Sequence, residues 1–164
     1  MDHLADTIRR AAATLLAAAW LAGAAFWSGC ATVPPPAGSP AQDELRAATQ
    51  HYGDLVGAMD HSAIAALFTP DGEIAAPGRA PITGREAIFK YLESFKDQQV
   101  ESAKITADSI DVHGAYGHVI GHYWQRARLP SGRKVETRGA YAADWHREPD
   151  GKWYIRFMTT RSAR

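Results

Sequence analysis

The sequence has a single cysteine and no net charge, and each of these features excludes a class of protein. Because Cys30 is the only cysteine among 164 residues, the chain can form neither an internal disulfide nor a thiolate zinc cluster. Lysine plus arginine number 18 and aspartate plus glutamate number 18, so the basic excess typical of nucleic-acid binding is missing. We therefore expect no nucleic-acid partner. With 46% hydrophobic residues, the composition is that of one ordinary globular domain.

The first thirty residues have the three-part pattern of a secretory signal. Arg9 and Arg10 precede an alanine-rich apolar run from Ala11 to Trp27, and Cys30 follows after two small residues. This end resembles the bacterial lipobox, which implies a lipid on Cys30. By the same resemblance, Ala31 favours the periplasmic face of the outer membrane in the cell envelope. Since the run of about 17 residues approaches the lower limit for a bilayer span, a retained membrane anchor and a plain secretory signal remain alternatives.

A proline-rich segment separates this signal from the rest of the chain. Four prolines stand among residues 31–41, which predicts a semi-extended tether because proline neither donates a backbone hydrogen bond nor continues a helix. We therefore predict a signal peptide over residues 1–30, a tether over 31–41 and a folded domain over 42–161.

Helices precede strands in the predicted domain. Apolar residues at three- and four-residue steps predict an amphipathic helix from Asp43 to Met59, and Asp60 would cap a short second helix. Thr83 and Glu86 have the spacing of a capping box and predict the start of a third helix. A short strand is expected over 73–76, and three turn signals then separate four strands over about 100–112, 116–129, 133–147 and 152–161. This order predicts an α+β fold.

Two runs of residues carry a family resemblance. They are Asp60-x-x-Ala63-Ile64-Ala65-x-Leu67-Phe68-x-x-Asp71-Gly72 with Thr83-Gly84-Arg85-Glu86-Ala87-Ile88, and Tyr141-x-x-x-Trp145-x-Arg147-x-x-Asp150-Gly151-x-Trp153-x-Ile155. They resemble the SnoaL-like branch of the nuclear transport factor 2-like superfamily. The resemblance implies helices packed on a curved antiparallel sheet that forms a cone around a pocket, and a homodimer formed through the sheet. It implies no single function, because this fold hosts enzymes and binders alike.

The predicted hairpins suggest which residues line that pocket. Loops of two or four residues would place His122, Tyr141 and Thr160 in one row, and would add Trp124 and two further rows to the same face. The further rows are Ile120–Ala143–Met158 and His118–Trp145–Arg156. The predicted ligand-binding residues are Tyr52, His122, Trp124, Tyr141, Trp145, Arg156 and Met158. A well-packed core or a dimer interface would account for the same rows.

Catalysis would need a proton-transfer group in the pocket. In the similar ketosteroid isomerases, a tyrosine eight residues before the second helix donates to the oxyanion, and Tyr52 and Asp60 have that spacing. The isomerase base falls on Ala76, which cannot move a proton, so His122 is the best catalytic candidate. His118 and His122 lie too far apart on one strand to share a metal ion, and we expect neither metal nor cofactor.

Three functions fit these observations. The first is an envelope-tethered domain that binds a small, largely apolar molecule without turnover. The second is an isomerase, cyclase or dehydratase that uses His122 with Tyr52 or Tyr141. The third is a homodimeric interaction module, and the sequence leaves open whether the protein is an enzyme.

Overall fold

The computed structural model describes residues 38–76 and 78–163. The predicted signal peptide, Cys30 and the tether up to residue 37 lie outside these residues. Within them, no helix combines the length and the apolar character that a membrane span requires.

The first two helices begin where short polar side chains can cap them. Helix α1 spans Pro40–Ala58, and the Ser39 hydroxyl accepts from the backbone N–H of Gln42, whose side chain accepts from Ser39 in return. Helix α1 thus begins two residues inside the predicted tether. Helix α2 spans His61–Ala66 and is capped by Asp60, which confirms that part of the prediction.

The third helix does not begin with the predicted capping box. Helix α3 spans Arg85–Glu93, and its cap is Gly84, whose φ of 89° favours glycine. Thr83 instead belongs to a short strand, where its hydroxyl donates to the carboxylate of Glu73. Glu86 pairs with Lys90 one turn along the helix. The capping-box prediction was wrong because strand pairing recruited the threonine.

Six strands form one curled, mixed sheet. They are β1 (Phe68–Ala75), β2 (Ile82–Thr83), β3 (Gln99–His113), β4 (Tyr116–Arg128), β5 (Lys134–Arg147) and β6 (Trp153–Ser162). Their order across the sheet is β2-β1-β6-β5-β4-β3, and all neighbours are antiparallel except β1 and β6, which are parallel. The predicted α+β class is confirmed, with the four long strands close to their predicted bounds.

The β4–β5 hairpin has a different register from the predicted one. Leu129 N–H donates to the carbonyl of Arg133 at 2.9 Å, so the loop contains three residues and ends at Gly132 with φ 82°. Tyr141 therefore lies opposite Gly121, and His122 lies opposite Ala140. Since successive strand residues point to opposite faces, this shift of one residue moves four predicted residues to the face opposite Tyr141, namely His118, Ile120, His122 and Trp124.

The β5–β6 hairpin follows the predicted register for half of its length. Tyr141 lies opposite Thr160 and Ala143 opposite Met158, as predicted. A shift after Asp144 then places Ile155, not Arg156, opposite Trp145. The predicted third row is therefore wrong at both ends. The three-residue loop moves His118 to the other face, and the bulge in β6 leaves Arg156 on the exposed surface.

The hydrophobic core fills the inner face of the sheet, which we define as the face toward α1. Trp145, Val119 and Ile155 are fully buried there, together with Leu45 from the helix. The Leu45 side chain occupies the space that a side chain at Gly117 would need, so the glycine lets α1 approach β4 closely. The opposite, outer face carries charged side chains.

Candidate ligand-binding cavity

A cavity of about 230 Å3 lies between α1 and one end of the inner face. An engineered apolar cavity of about 150 Å3 in another protein binds benzene, so this volume suits a molecule built on one substituted ring. Every strand from β3 to β6 contributes to its wall, and α1 adds two residues. The lining residues are Tyr52, Val56, Ala103, Ile105, Tyr123, Trp124, Gln125, Tyr141, Met158 and Thr160.

Tyr141 is held at the wall of the cavity by a gap in the neighbouring strand. An ideal Cβ on Gly121 would lie 2.8 Å from Cε1 and 2.9 Å from the hydroxyl oxygen of Tyr141. The absence of a side chain at Gly121 therefore makes room for the phenol. Tyr141 is only 6% exposed, and its hydroxyl has no hydrogen-bond partner among the described residues. A buried hydroxyl without a partner is uncommon, and it is available to a ligand.

The buried phenols are neutral near pH 7. Burial raises the pKa of Tyr141 to about 12, and the negative charge of Asp108 adds to the effect. Burial likewise raises the pKa of Tyr52 far above its ordinary value, with smaller contributions from Tyr141 and Tyr91. Because these phenols keep their protons, each can donate a hydrogen bond into the cavity.

Four of the seven predicted ligand-binding residues line the cavity. They are Tyr52, Trp124, Tyr141 and Met158. Trp124 borders the cavity from the outer face, because it alternates with Tyr123 and shares the face of His122, and its ring lies 5.4 Å from the guanidinium carbon of Arg126 on that face.

The other three predicted residues lie elsewhere. Trp145 is part of the buried core, and Arg156 lies in an exposed groove of the outer face. His122 is on the outer face with its side chain 70% exposed, and it pairs with Asp108 at the bulge of β3. The predicted row that joined His122 to Tyr141 on one face was wrong because the β4–β5 loop has three residues.

The cavity contains no group suited to proton abstraction at neutral pH. None of its lining residues is a histidine, a carboxylate, a lysine or an arginine. The carboxylate that acts on Tyr141 belongs to Asp108, which is partly exposed and engaged by His122. On the outer face His118 pairs with Asp144 at 2.6 Å. Over residues 38–76 and 78–163, no group of three histidine, cysteine or acidic side chains could hold a metal ion.

Sequence reasoning missed several residues of the wall. Val56 stands one helical turn after Tyr52, and that spacing was visible in the amphipathic pattern of α1. Strand register decides whether Tyr123, Ile105 and Thr160 face the cavity. Two strand glycines were a usable indication of the wall, because a glycine within a strand often marks a place where a neighbouring group packs close to the backbone. Here Gly121 makes room for Tyr141, and Gly139 makes room for Tyr123.

The fold and cavity define a class of small α+β domains in which helices close a curled sheet around a pocket. The chain belongs to a family of this class: the family model of the SnoaL-like domain matches residues 39–159. The resemblance in the two sequence runs is thereby confirmed. No curated protein sequence matches the chain.

Solved structures agree with this fold. A ketosteroid isomerase-like protein from Erwinia carotovora atroseptica superposes with a TM-score of 0.71 at 15% identity, over 77% of this chain and 99% of that protein. ActVI-ORFA from Streptomyces coelicolor gives a TM-score of 0.62 at 16% identity over 73% and 95%. An NTF2-like protein with a cystatin-like fold from Novosphingobium aromaticivorans gives 0.55 at 25% identity over 72% and 79%. The cystatin-like, nuclear transport factor 2-like fold is therefore confirmed.

Proposed function

We propose that this chain is a binding domain that holds a small, largely apolar molecule in the cavity between α1 and the sheet, without turnover. The observation that carries this proposal is the composition of the cavity wall, which is apolar and phenolic and lacks a proton-transfer base. The enzymatic alternative needs His122 at the substrate. The exposed position of His122 on the outer face, engaged with Asp108, favours binding over catalysis.

The methionines provide a direct test of binding. The chain has three, and Met158 lines the cavity whereas Met59 caps α1 outside it. With 13C-methyl methionine in the full chain, we expect acetophenone to shift the Met158 signal saturably and to leave Met59 unchanged. Val56→Phe, which fills the cavity, should abolish the shift, and Ile120→Phe on the outer face should not. A saturable shift that survives Val56→Phe would contradict the proposal.

Catalysis by His122 can be tested in the same experiment. We expect His122→Gln to bind acetophenone with unchanged affinity, because the imidazole is on the other face of the sheet. A loss of affinity in this variant would favour the enzymatic alternative.

We further propose that the domain is anchored in the bacterial envelope by a lipid on Cys30, on the periplasmic face of the outer membrane. The tripartite signal ahead of a lone cysteine supports this proposal. In a bacterial host, the wild-type chain should incorporate labelled palmitate and Cys30→Ser should not. If neither chain incorporates palmitate, lipidation is contradicted. Recovery of the chain in the membrane fraction would then indicate a retained anchor, and its absence from that fraction would indicate a cleaved signal.

A second candidate function is a homodimeric interaction module formed through the outer face. The row Ile120–Ala142–Thr159 crosses its centre, and Ile120 is 46% exposed. Acidic residues predominate toward one end of this row and basic residues toward the other. The acidic end carries Asp111 and Asp144 beside Arg156, and the basic end carries Lys104, Arg138 and Arg161 beside the ion pair of Arg126 with Glu136.

This segregation is self-complementary. A second copy, related by a two-fold axis along the Ile120 row, would place its basic side against the acidic side of the first copy. The expected dimer would buttress the sheet behind the cavity and would dissociate more readily at high salt.

A further inference from the structure

A second concave site lies on the outer face of the sheet, on the side opposite the hydrophobic core. It is a groove of about 380 Å3 centred on Ala140, with Arg138 and Arg161 in its wall. We infer that this groove binds the phosphate group of a small phosphate monoester, such as a sugar phosphate. The inference does not depend on the function proposed for the cavity beside α1.

Strand pairing places the two arginines side by side. Ala140 lies opposite Arg161 on one side and opposite His122 on the other, so these residues form a row across the outer face. Arg138 precedes Ala140 by two residues on β5 and therefore points to the same face, as a diagonal neighbour of Arg161 at about 7–8 Å. Because the side chain of Ala140 is short, space remains between the longer side chains around it.

The two arginines differ from a neighbouring cation in their ion pairing. Arg126 on the same face pairs with Glu136 at 2.6 Å. Neither Arg138 nor Arg161 forms an ion pair within the part of the chain that the structure describes. The pKa of Glu136 is lowered first by its hydrogen bond with Arg126, and the charge of Arg138 contributes least. Two adjacent like charges repel each other, and an anion between them would remove that repulsion.

A phosphate monoester matches the charge and the donors of this wall. It carries about 1.5 to 2 negative charges at pH 7 and has three acceptor oxygens, whereas a carboxylate would neutralise only one of the two arginines. Each guanidinium group presents a planar fork of N–H donors that fits such an oxyanion.

Further polar groups of the wall suit the hydroxyls of a sugar. Asp108 engages Nδ1 of His122, which leaves Nε2 of this exposed side chain for a ligand hydroxyl. The hydroxyls of Tyr123 and Ser162, which are 3.4 Å apart, belong to the same groove. An ester that carries hydroxyl groups should therefore bind more tightly than inorganic phosphate.

The test compares four probes: glucose 6-phosphate, glucuronate, glucose and inorganic phosphate. Each is titrated into the full chain at pH 7 while the backbone amide signals of Ala140 and Ser162 are followed against Gly57 on the exposed side of α1. We expect glucose 6-phosphate to shift both signals saturably and glucose to shift neither. Glucuronate should bind about tenfold more weakly, because it engages one arginine fewer. The Met158 methyl signal should stay unchanged, since Met158 lines the cavity on the other face.

Arginine variants assign the binding to the groove. Arg138→Gln and Arg161→Gln should each weaken the binding of glucose 6-phosphate about tenfold, and both should fold because these side chains are exposed. Arg46→Gln makes the same change in net charge on the exposed side of α1 and should leave the affinity nearly unchanged, because salt screens distant charges.

Each remaining outcome would overturn the inference. Saturable shifts that survive both groove variants would place the anion elsewhere. Glucuronate binding as tightly as glucose 6-phosphate would contradict the preference for a dianion, and inorganic phosphate binding as tightly would indicate an adventitious ion only. If no probe shifts Ala140, the arginines serve another contact, such as a second copy of the chain. None of these results would affect the binding function proposed for the cavity.

Discussion

Replacing Gly121 with alanine should destabilise the domain by an amount that the local geometry sets. The new Cβ would lie 2.8 Å from the ring of Tyr141 and would overlap the carbonyl oxygen of Thr106 on the neighbouring strand. Carbon atoms pack best at about 3.5–4.0 Å, so the ring must retreat by roughly 1 Å. The overlap with Thr106 is with backbone, which no rotamer change can relieve. We therefore expect a cost of about 3 kcal/mol in the free energy of unfolding, at the upper end for overpacking.

A second glycine provides the matched control. Gly57 lies on the exposed side of α1, and nothing lies within 4 Å of an ideal Cβ there. Gly57→Ala should stabilise the chain by about 0.5–1 kcal/mol, because alanine loses less conformational entropy in a helix. The same chemical change is thus expected to have opposite signs at the two positions.

Denaturant unfolding followed by circular dichroism measures both effects. We expect the Gly121→Ala midpoint to fall and the Gly57→Ala midpoint to rise, with equal m-values. The Met158 methyl signal should also move in Gly121→Ala, because Met158 and Tyr141 line one cavity. A Gly121→Ala chain as stable as wild type would refute the close packing of Tyr141 against β4, and with it the geometry of the cavity.

Three further predictions follow from the same structure. Ser39→Ala removes the capping hydroxyl of α1 and should lower the free energy of unfolding by about 1 kcal/mol, measured in denaturant. Because the pKa of Tyr141 is about 12 in the folded chain and 10.0 in the unfolded chain, the protonated phenol contributes its full stability below pH 10. This contribution is lost as the pH rises toward 12. Tyr141→Phe should therefore flatten the alkaline decline by up to about 1.4 kcal/mol per pH unit in pH-dependent unfolding, whereas an equally steep decline would contradict burial of the phenol. Ile120→Lys should yield a monomer by sedimentation in density-matched detergent if the wild-type chain dimerises through the outer face, and a persistent dimer would rule that face out.

Local signals in the sequence were sufficient for the helices and for the four long strands. The cap at Asp60 and the amphipathic pattern of α1 depend on residues close to one another in the chain, so they can be read without tertiary information. The predicted cap at Thr83 failed because a strand contact with Glu73, ten residues away in the chain, competed for the same hydroxyl. The parallel pairing of β1 with β6 is a long-range contact, and no local pattern indicates it.

The site was predictable only where it depended on composition. Tyr52 and Tyr141 stand out in any register, because they are aromatic residues on elements that face the core. The placement of His122 and Arg156 depended on loop length and on one bulge, and the loop residues Pro130, Ser131 and Gly132 are compatible with more than one hairpin geometry. A change of one residue in register is enough to move a side chain from cavity to surface.

The central claim is that a small ligand binds inside this cavity, and intermolecular nuclear Overhauser effects test it most directly. With acetophenone bound to the full chain, we expect contacts from its ring protons to the Met158 methyl group and to the ring of Tyr141. Contacts to Ile120 on the outer face, with none to Met158, would contradict the account.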